Sequence, residues 1–391
     1  MDLRPILYAI GILLCILALG MLFPMLADIY AANSDWRVFF TCIVITSFFG
    51  GSLILSTAGQ EFNMNTKQVF IFTSLSWLSL AIFASLPLYF SQLGLSFTDS
   101  FFEAMSGITT TGSTVITGLD TAPPGILLWR AILQWLGGIG IILMAMSVLP
   151  FLNVGGMQIF RTELSESEKA LPRTAQLASM IGTIYLILTG ACALLYIISG
   201  MGIFDSICHA LTTISTGGFA NFDESFAYYN TPGTEAVSIT FMLLGGMPFV
   251  LYLKAVNGNF SALFKDTQVI WFLSLVSIAT IILIAHLTAQ EHFGPIESLR
   301  KSTFNVVSLI TGTGYTNGNY TEWGGFAVSL LFFLMVVGGC AGSTSCGIKI
   351  FRFQVLYNVT KVQIQKLIIQ TVFLTRITIT VPSSQKSQCR S

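Results

Sequence analysis

Residues 97–112 read FTDSFFEAMSGITTTG. An apolar stretch of about a dozen residues, too short to cross a bilayer, runs straight into a Thr/Gly cluster. The same order recurs twice: residues 203–217 read IFDSICHALTTISTG and residues 297–314 read ESLRKSTFNVVSLITGTG. A longer apolar segment follows each, carrying Gly137-Gly138, Gly245-Gly246 or Gly338-Gly339. These pairs lie 25, 28 and 24 residues after Gly112, Gly217 and Gly314. Hydrocarbon offers backbone N–H and C=O groups no partner. Non-helical backbone at membrane depth therefore persists only where it is buried in protein or lines a wet path. Three such segments in one frame imply an ion path built from duplicated units.

Composition agrees. Of 391 residues, 53% are apolar and 9% charged, against about 25% charged in soluble domains. Mean hydropathy is +0.77. Zero formal net charge gives no electrostatic reason to bind nucleic acid. Seven cysteines are scattered; Cys15, Cys42, Cys192 and Cys340 sit in apolar runs and read as small buried thiols. His209, His286 and His292 do not cluster with other metal ligands. Residues 6–27 are too long for a signal peptide's apolar region and read as a first membrane helix. Further spans are expected at 36–57, 68–90, 124–149, 177–200, 233–254, 268–287 and 324–348, eight in all. Segments 91–123 and 201–232 contain no Lys or Arg, whereas 150–176 contains Arg161, Lys169 and Arg173. Lys67, Lys254, Lys265, Lys349, Arg352, Lys361 and Lys366 mark the same side. With a cytoplasmic amino terminus, only Arg37, Arg130, Arg300 and Lys301 fall outside, and all three hairpins face the exterior.

The Thr/Gly chemistry suits a dehydrated alkali cation. Backbone carbonyls can replace its hydration shell without fixed charge. Turning them toward an axis requires dihedrals open only to glycine, expected at Gly112, Gly217 and Gly314. The hydroxyls of Thr111, Thr216 and Thr313 add oxygens or tie each strand to its short helix. Thr110, Ser215, Gly218 and Tyr315 are expected as supports. The hairpins hold no carboxylate, which favours a monovalent ion over calcium or magnesium. Each short helix turns its carboxyl end, with its partial negative charge, toward the membrane centre. Asp99 and Asp205 are candidate caps for the first two. Glu103 either shapes the local potential or bonds to backbone. Arg130 is expected to snorkel to the outer face, and His209 to pack. No span carries a nucleophile–base pair or metal-ligand set, so an enzyme is not expected.

Several segments together resemble one family: MSGITTTGSTVI (105–116), WLGGIGIILMAMSVLP (135–150), ISTGGF (214–219), TGTGYT (311–316) and GGCAGSTSCGIK (338–349). They are similar to the Trk/Ktr/HKT superfamily of potassium transporters, and most to the bacterial Trk membrane subunit (TrkH/TrkG type). The resemblance implies an all-α polytopic protein of the bacterial inner membrane, with membrane–pore–membrane units and re-entrant half-helices. Its division would be two leading helices (1–60), repeats at 61–160, 161–265 and 266–360, and a divergent tail (361–391). It implies potassium uptake through filter residues Thr111-Gly112, Thr216-Gly217 and Thr313-Gly314. Sodium or ammonium transport, or a non-conducting assembly subunit, are the alternatives.

The resemblance also implies a gate in the third repeat's inner helix. The matching residues are Gly338, Gly339, Cys340, Ala341, Gly342, Ser343, Thr344, Ser345, Cys346 and Gly347. Ser345 and Cys346 stand where the family usually has glycines, which stiffens the loop. Expected partners are a second copy in a homodimer, membrane lipid and a cytoplasmic nucleotide-binding regulatory subunit (TrkA type). No cofactor is expected on this chain; nucleotide belongs to the regulatory partner. The family pattern has four hairpins and this sequence three, so a fourth repeat is expected to be missing and the 391-residue chain to be impaired.

Overall fold

The computed structural model describes residues 2–59, 66–148, 170–291 and 293–380. The basic loop residues Arg161 and Lys169, together with His292 and residues 381–391, lie outside that range. Among the described residues the architecture is helical, with one isolated bridge between Val337 and Ile348.

Helices α1 (Arg4–Gly20) and α2 (Leu22–Tyr30) run on as one 27-residue apolar span. They pack beside α3 (Trp36–Ser56). The first repeat is α4 (Thr66–Phe90), the short α5 (Phe97–Ile108), a hairpin and α6 (Pro124–Val148). The second is α7 (Ala170–Ile198), the short α8 (Ile203–Ile214), a hairpin, α9 (Pro232–Gly245) and α10 (Phe249–Val256). The five-residue α11 (Ser261–Lys265) leads into the third: α12 (Thr267–Ala289), α13 (Pro295–Thr311), a hairpin and α14 (Gly325–Val336). A long α15 (Ile350–Thr380) follows. The leading helices and first repeat share one apolar core, and the second and third repeats share another.

The expected short helices are present, but their caps differ from expectation. Ser96 caps α5 by accepting the Asp99 N–H at 3.1 Å, and its hydroxyl donates to Asp99 Oδ2 at 2.7 Å. Asp99 therefore sits within the first turn, where a carboxylate interacts favourably with the helix dipole. Asp205 does not cap α8; its Oδ1 accepts from Asn221 Nδ2 at 2.7 Å.

The expected eight spans are not all single helices. Six described helices are long and apolar enough to cross, or seven if α9 and α10 count as one span bent by 94°. The bend falls at Gly245-Gly246-Met247-Pro248. Pro248 has no N–H to continue the helix, and the glycines do little to hold it. The carbonyls released there are not left bare. Leu244 O accepts from the Tyr252 hydroxyl at 2.6 Å, and Gly246 O from the Cys340 N–H at 3.0 Å. The expected eighth span is the twelve-residue α14 followed by irregular backbone, at the glycine-rich stretch 338–347 expected to interrupt it. Apolar length reads the same whether a segment runs straight or folds back.

Candidate functional site: three Thr/Gly hairpins above an irregular loop

Each short helix ends in a residue of positive φ, followed two residues later by a second. The pairs are Thr110 (56°) and Gly112 (81°), Thr216 (49°) and Gly218 (81°), and Gly312 (73°) and Gly314 (82°). Hydrogen bonds fix the same register. The N–H groups of Thr110, Thr216 and Gly312 reach the carbonyls of Gly107, Thr213 and Leu309. One position earlier, the hydroxyls of Thr109, Ser215 and Thr311 donate to Met105, Leu211 and Val307 O. The structure thus places Gly218, not Gly217, level with Gly112 and Gly314. The matched pairs are Thr111-Gly112, Gly217-Gly218 and Thr313-Gly314. Thr216 falls one position early and is level with Thr110. The sequence equivalence of Thr216-Gly217 with the other two pairs was off by one residue.

The hairpins abut in order as an arc. A Cβ on Gly112 would lie 2.1 Å from Gly217 O, and one on Gly218 would lie 1.7 Å from Thr313 O. Both distances are impossible for a real side chain, so glycine is required for close approach as well as for φ. At Gly314 a Cβ would meet nothing within 4 Å. Among the described residues, Gly314 and Thr111, at the two ends of the arc, are exposed, whereas Thr216 and Gly217 in the middle are buried.

Beneath the arc lies the irregular stretch between α14 and α15. Its ends are tied together: Gly338 N–H donates to Ile348 O at 2.9 Å and Ile348 N–H to Val336 O at 3.0 Å. Thr344 Oγ1 lies 3.1 Å from Thr216 Oγ1, 3.1 Å from Ile214 O and 3.0 Å from Gly245 O. The Cys346 thiol is 3.7 Å from Thr110 O, and the Cys346 Cβ lies 2.9 Å from where a Gly312 Cβ would sit. One loop therefore touches the underside of all three hairpins. Ser345 Oγ accepts from Gly339 N–H at 2.7 Å, and Ala341 N–H donates to Gln268 Oε1 at 3.0 Å. Ser343 bonds Cys340 O at 2.7 Å, and Lys349 Nζ donates to Ser345 O. Gly342 O accepts the first N–H of α10, from Phe249, at 3.0 Å. Gly347 closes the loop at φ 78°.

Above this loop, buried polar side chains brace the hairpins. Arg130 does not snorkel. It is 1% exposed, and its Nε donates to Glu103 Oε1 at 2.8 Å. Glu103 in turn accepts from Thr114 Oγ1 and Val115 N–H, both at 2.9 Å. Glu103 thus bonds to backbone, one of the two roles expected for it, and pairs with Arg130 besides. Gln134, without any signal in the sequence, holds hairpin two: its Nε2 donates to Gly217 O at 2.7 Å and its Oε1 accepts Phe219 N–H at 3.0 Å. Tyr315 reaches from hairpin three to the Thr212 hydroxyl at 2.5 Å. Glu235 joins Asn317 Nδ2 at 2.6 Å and Arg300 Nε at 3.0 Å. His209 packs as expected, with Nδ1 2.8 Å from Asp205 O and its ring edge-on to Phe226 and Tyr229.

No group of His, Cys, Asp or Glu among the described residues is placed to hold a metal ion. The site's resources are hairpin oxygens, short-helix carboxyl ends and a loop of small residues beneath them.

Comparison with known proteins agrees with this geometry. A family model described as "TrkH: Cation transport protein" matches residues 36–381. The chain is 42% identical over 366 residues to the Trk system potassium uptake protein TrkI of Halomonas elongata, covering 93% of this chain and 74% of that one. It is 33% identical over 377 residues to the Trk system potassium uptake protein TrkH of Escherichia coli, covering 94% and 77%. The crystal structure of the potassium transporter TrkH from Vibrio parahaemolyticus superposes with a TM-score of 0.87 at 31% identity, covering 94% of this chain and 77% of that one. A repeated all-helical membrane fold, three glycine-dependent hairpins and these likenesses converge: the chain belongs to the TrkH family of cation transport proteins.

Proposed function

We propose that this chain carries potassium across the bacterial inner membrane along the axis of its hairpin arc. The observation that supports this reading most is the shared register of Thr111-Gly112, Gly217-Gly218 and Thr313-Gly314. Left-handed glycines allow successive carbonyls to approach neighbouring hairpins, the arrangement that replaces an alkali ion's water. Potassium is the cargo named for the relatives from Halomonas elongata and Escherichia coli. Thr110, Thr216 and Gly312 then form the inner rim, and Ser215 and Tyr315 hold it from behind.

The loop from Gly338 to Gly347 is the gate on this reading, drawn in its closed position. Its contacts with Thr110, Thr216 and Gly312 support that reading, since they set the loop directly against the inner side of the hairpins. A homodimer and a cytoplasmic nucleotide-binding regulatory subunit belong to the same proposal, as partners suggested by membership of a Trk-type cation transport family. The test is potassium uptake by the full-length protein, with its regulatory partner, in cells lacking their own uptake systems. Growth and uptake at low external potassium are expected. Normal membrane expression without uptake would refute the reading.

A further inference from the structure

Arg130 and Gln134 lie four residues apart on α6 and so share one face of that helix, a turn apart. Both grip hairpin two. Gln134 brackets Gly217 O and Phe219 N–H, at 2.7 and 3.0 Å. Arg130 Nη1 donates to Ala220 O at 3.0 Å, and its guanidinium carbon stands 4.1 Å from the centroid of the Phe219 ring. The same guanidinium holds the outgoing strand of hairpin one, through Nη2 to Thr114 Oγ1 at 3.2 Å and through Glu103 to Val115 N–H. Glu103, Arg130 and Gln134 are each 1% exposed or less.

We infer that this face of α6 is a positioning ladder that fixes the spacing between hairpins one and two, and thereby ion discrimination. The inference rests on the reading of the hairpins as the filter. Gly217 O, the atom Gln134 holds, is the one that abuts Gly112. A shift of Gln134 therefore moves a carbonyl at the joint itself, not a helix end. The second joint is built differently. Counting from the Gly-Gly pairs, the positions matching Arg130 and Gln134 are Ser238 and Met242. There Tyr315 supplies the polar tie, to Thr212 and Thr213 at 2.5 and 3.2 Å. The two joints thus contribute separately, and the first depends on an amide and a guanidinium.

The experiment measures potassium and sodium flux into liposomes for the full-length transporter and for Q134L, Q134E and W129F. Leucine removes both hydrogen bonds at nearly constant volume. Glutamate keeps the acceptor for Phe219 N–H but sets an oxygen against Gly217 O. Trp129 is a comparator on the same helix: its buried Nε1 donates to Ala84 O at 3.0 Å, away from the hairpins. The potassium-to-sodium ratio should fall about tenfold in Q134L and Q134E, by loss of a buried bond that sets ligand position. W129F should lose thermal stability and keep the wild-type ratio. Should Q134L fail to insert, Q134E carries the test. A wild-type ratio in every Gln134 variant that inserts, or an equal fall in W129F, would overturn the inference and leave the filter reading standing. A wild type that does not prefer potassium would overturn the filter reading itself, and this inference with it.

Discussion

At the scale of single residues, three glycines of similar φ face different surroundings, and their substitutions should separate. An alanine at Gly112 or Gly218 collides with a neighbouring carbonyl in addition to left-handed strain of about 1–2 kcal/mol. An alanine at Gly314 carries the strain alone. Thermal unfolding of purified protein should therefore show Gly112→Ala and Gly218→Ala to be the more damaging, by roughly 1–3 kcal/mol of overpacking. Equal losses at all three sites would contradict the arc. Gly217→Ala acts through another atom, since its Cβ would stand 2.4 Å from Gln134 Cδ.

The hairpins were legible because Thr/Gly clusters after short apolar helices are rare and occurred three times. Their register was not. In Ser215-Thr216-Gly217-Gly218 two adjacent glycines compete for one left-handed position, and local sequence does not choose between them. Contact with Thr313 of the next hairpin does. Arg130 was misread for a related reason. A charge near a helix start reads as interfacial until its partner, 27 residues away in sequence, is seen beside it. Gln134 carries neither charge nor a motif.

At the scale of elements, the bent pair α9 and α10 and the irregular stretch after α14 stabilise each other. The bend frees Gly245 O and Gly246 O, and the loop supplies the donors Thr344 and Cys340. Thr344→Val removes the hydroxyl that links Thr216, Ile214 and Gly245. Burying those oxygens with one fewer partner disfavours the closed arrangement by about 1–3 kcal/mol. Cation flux without the regulatory partner should rise by roughly tenfold as the closed population falls. Flux unchanged in a folded Thr344→Val protein would exclude the loop as a gate. Cys346→Gly tests the same element from below hairpins one and three. It removes the thiol beside Thr110, and flux should rise in the same direction. An unaltered closed state would count against Cys346 as part of the plug.

For the whole molecule, loop charge predicts that hairpins and basic loops lie on opposite faces of the membrane. In a cysteine-free background, Val115→Cys should react with an impermeant thiol reagent from outside and Ser165→Cys from inside. Reaction of both from the same side would overturn the orientation. The broad fold was legible because apolar length and repeat spacing are properties of the chain itself. The break after α14 was legible too, in the run of glycine and small residues from Gly338 to Gly347. The bend between α9 and α10 was not, because it preserves hydropathy while changing direction.

Three glycine-dependent hairpins, spaced by their neighbours, should pass potassium selectively. The most direct measurement is the potassium-to-sodium flux ratio of the purified full-length protein in liposomes, compared with that of Gly218→Ser. A strong preference for potassium is expected in the wild type, and a loss of that preference in a Gly218→Ser protein that still inserts and still conducts. Equal passage of both ions by the wild type, or an unchanged ratio in Gly218→Ser, would contradict this expectation.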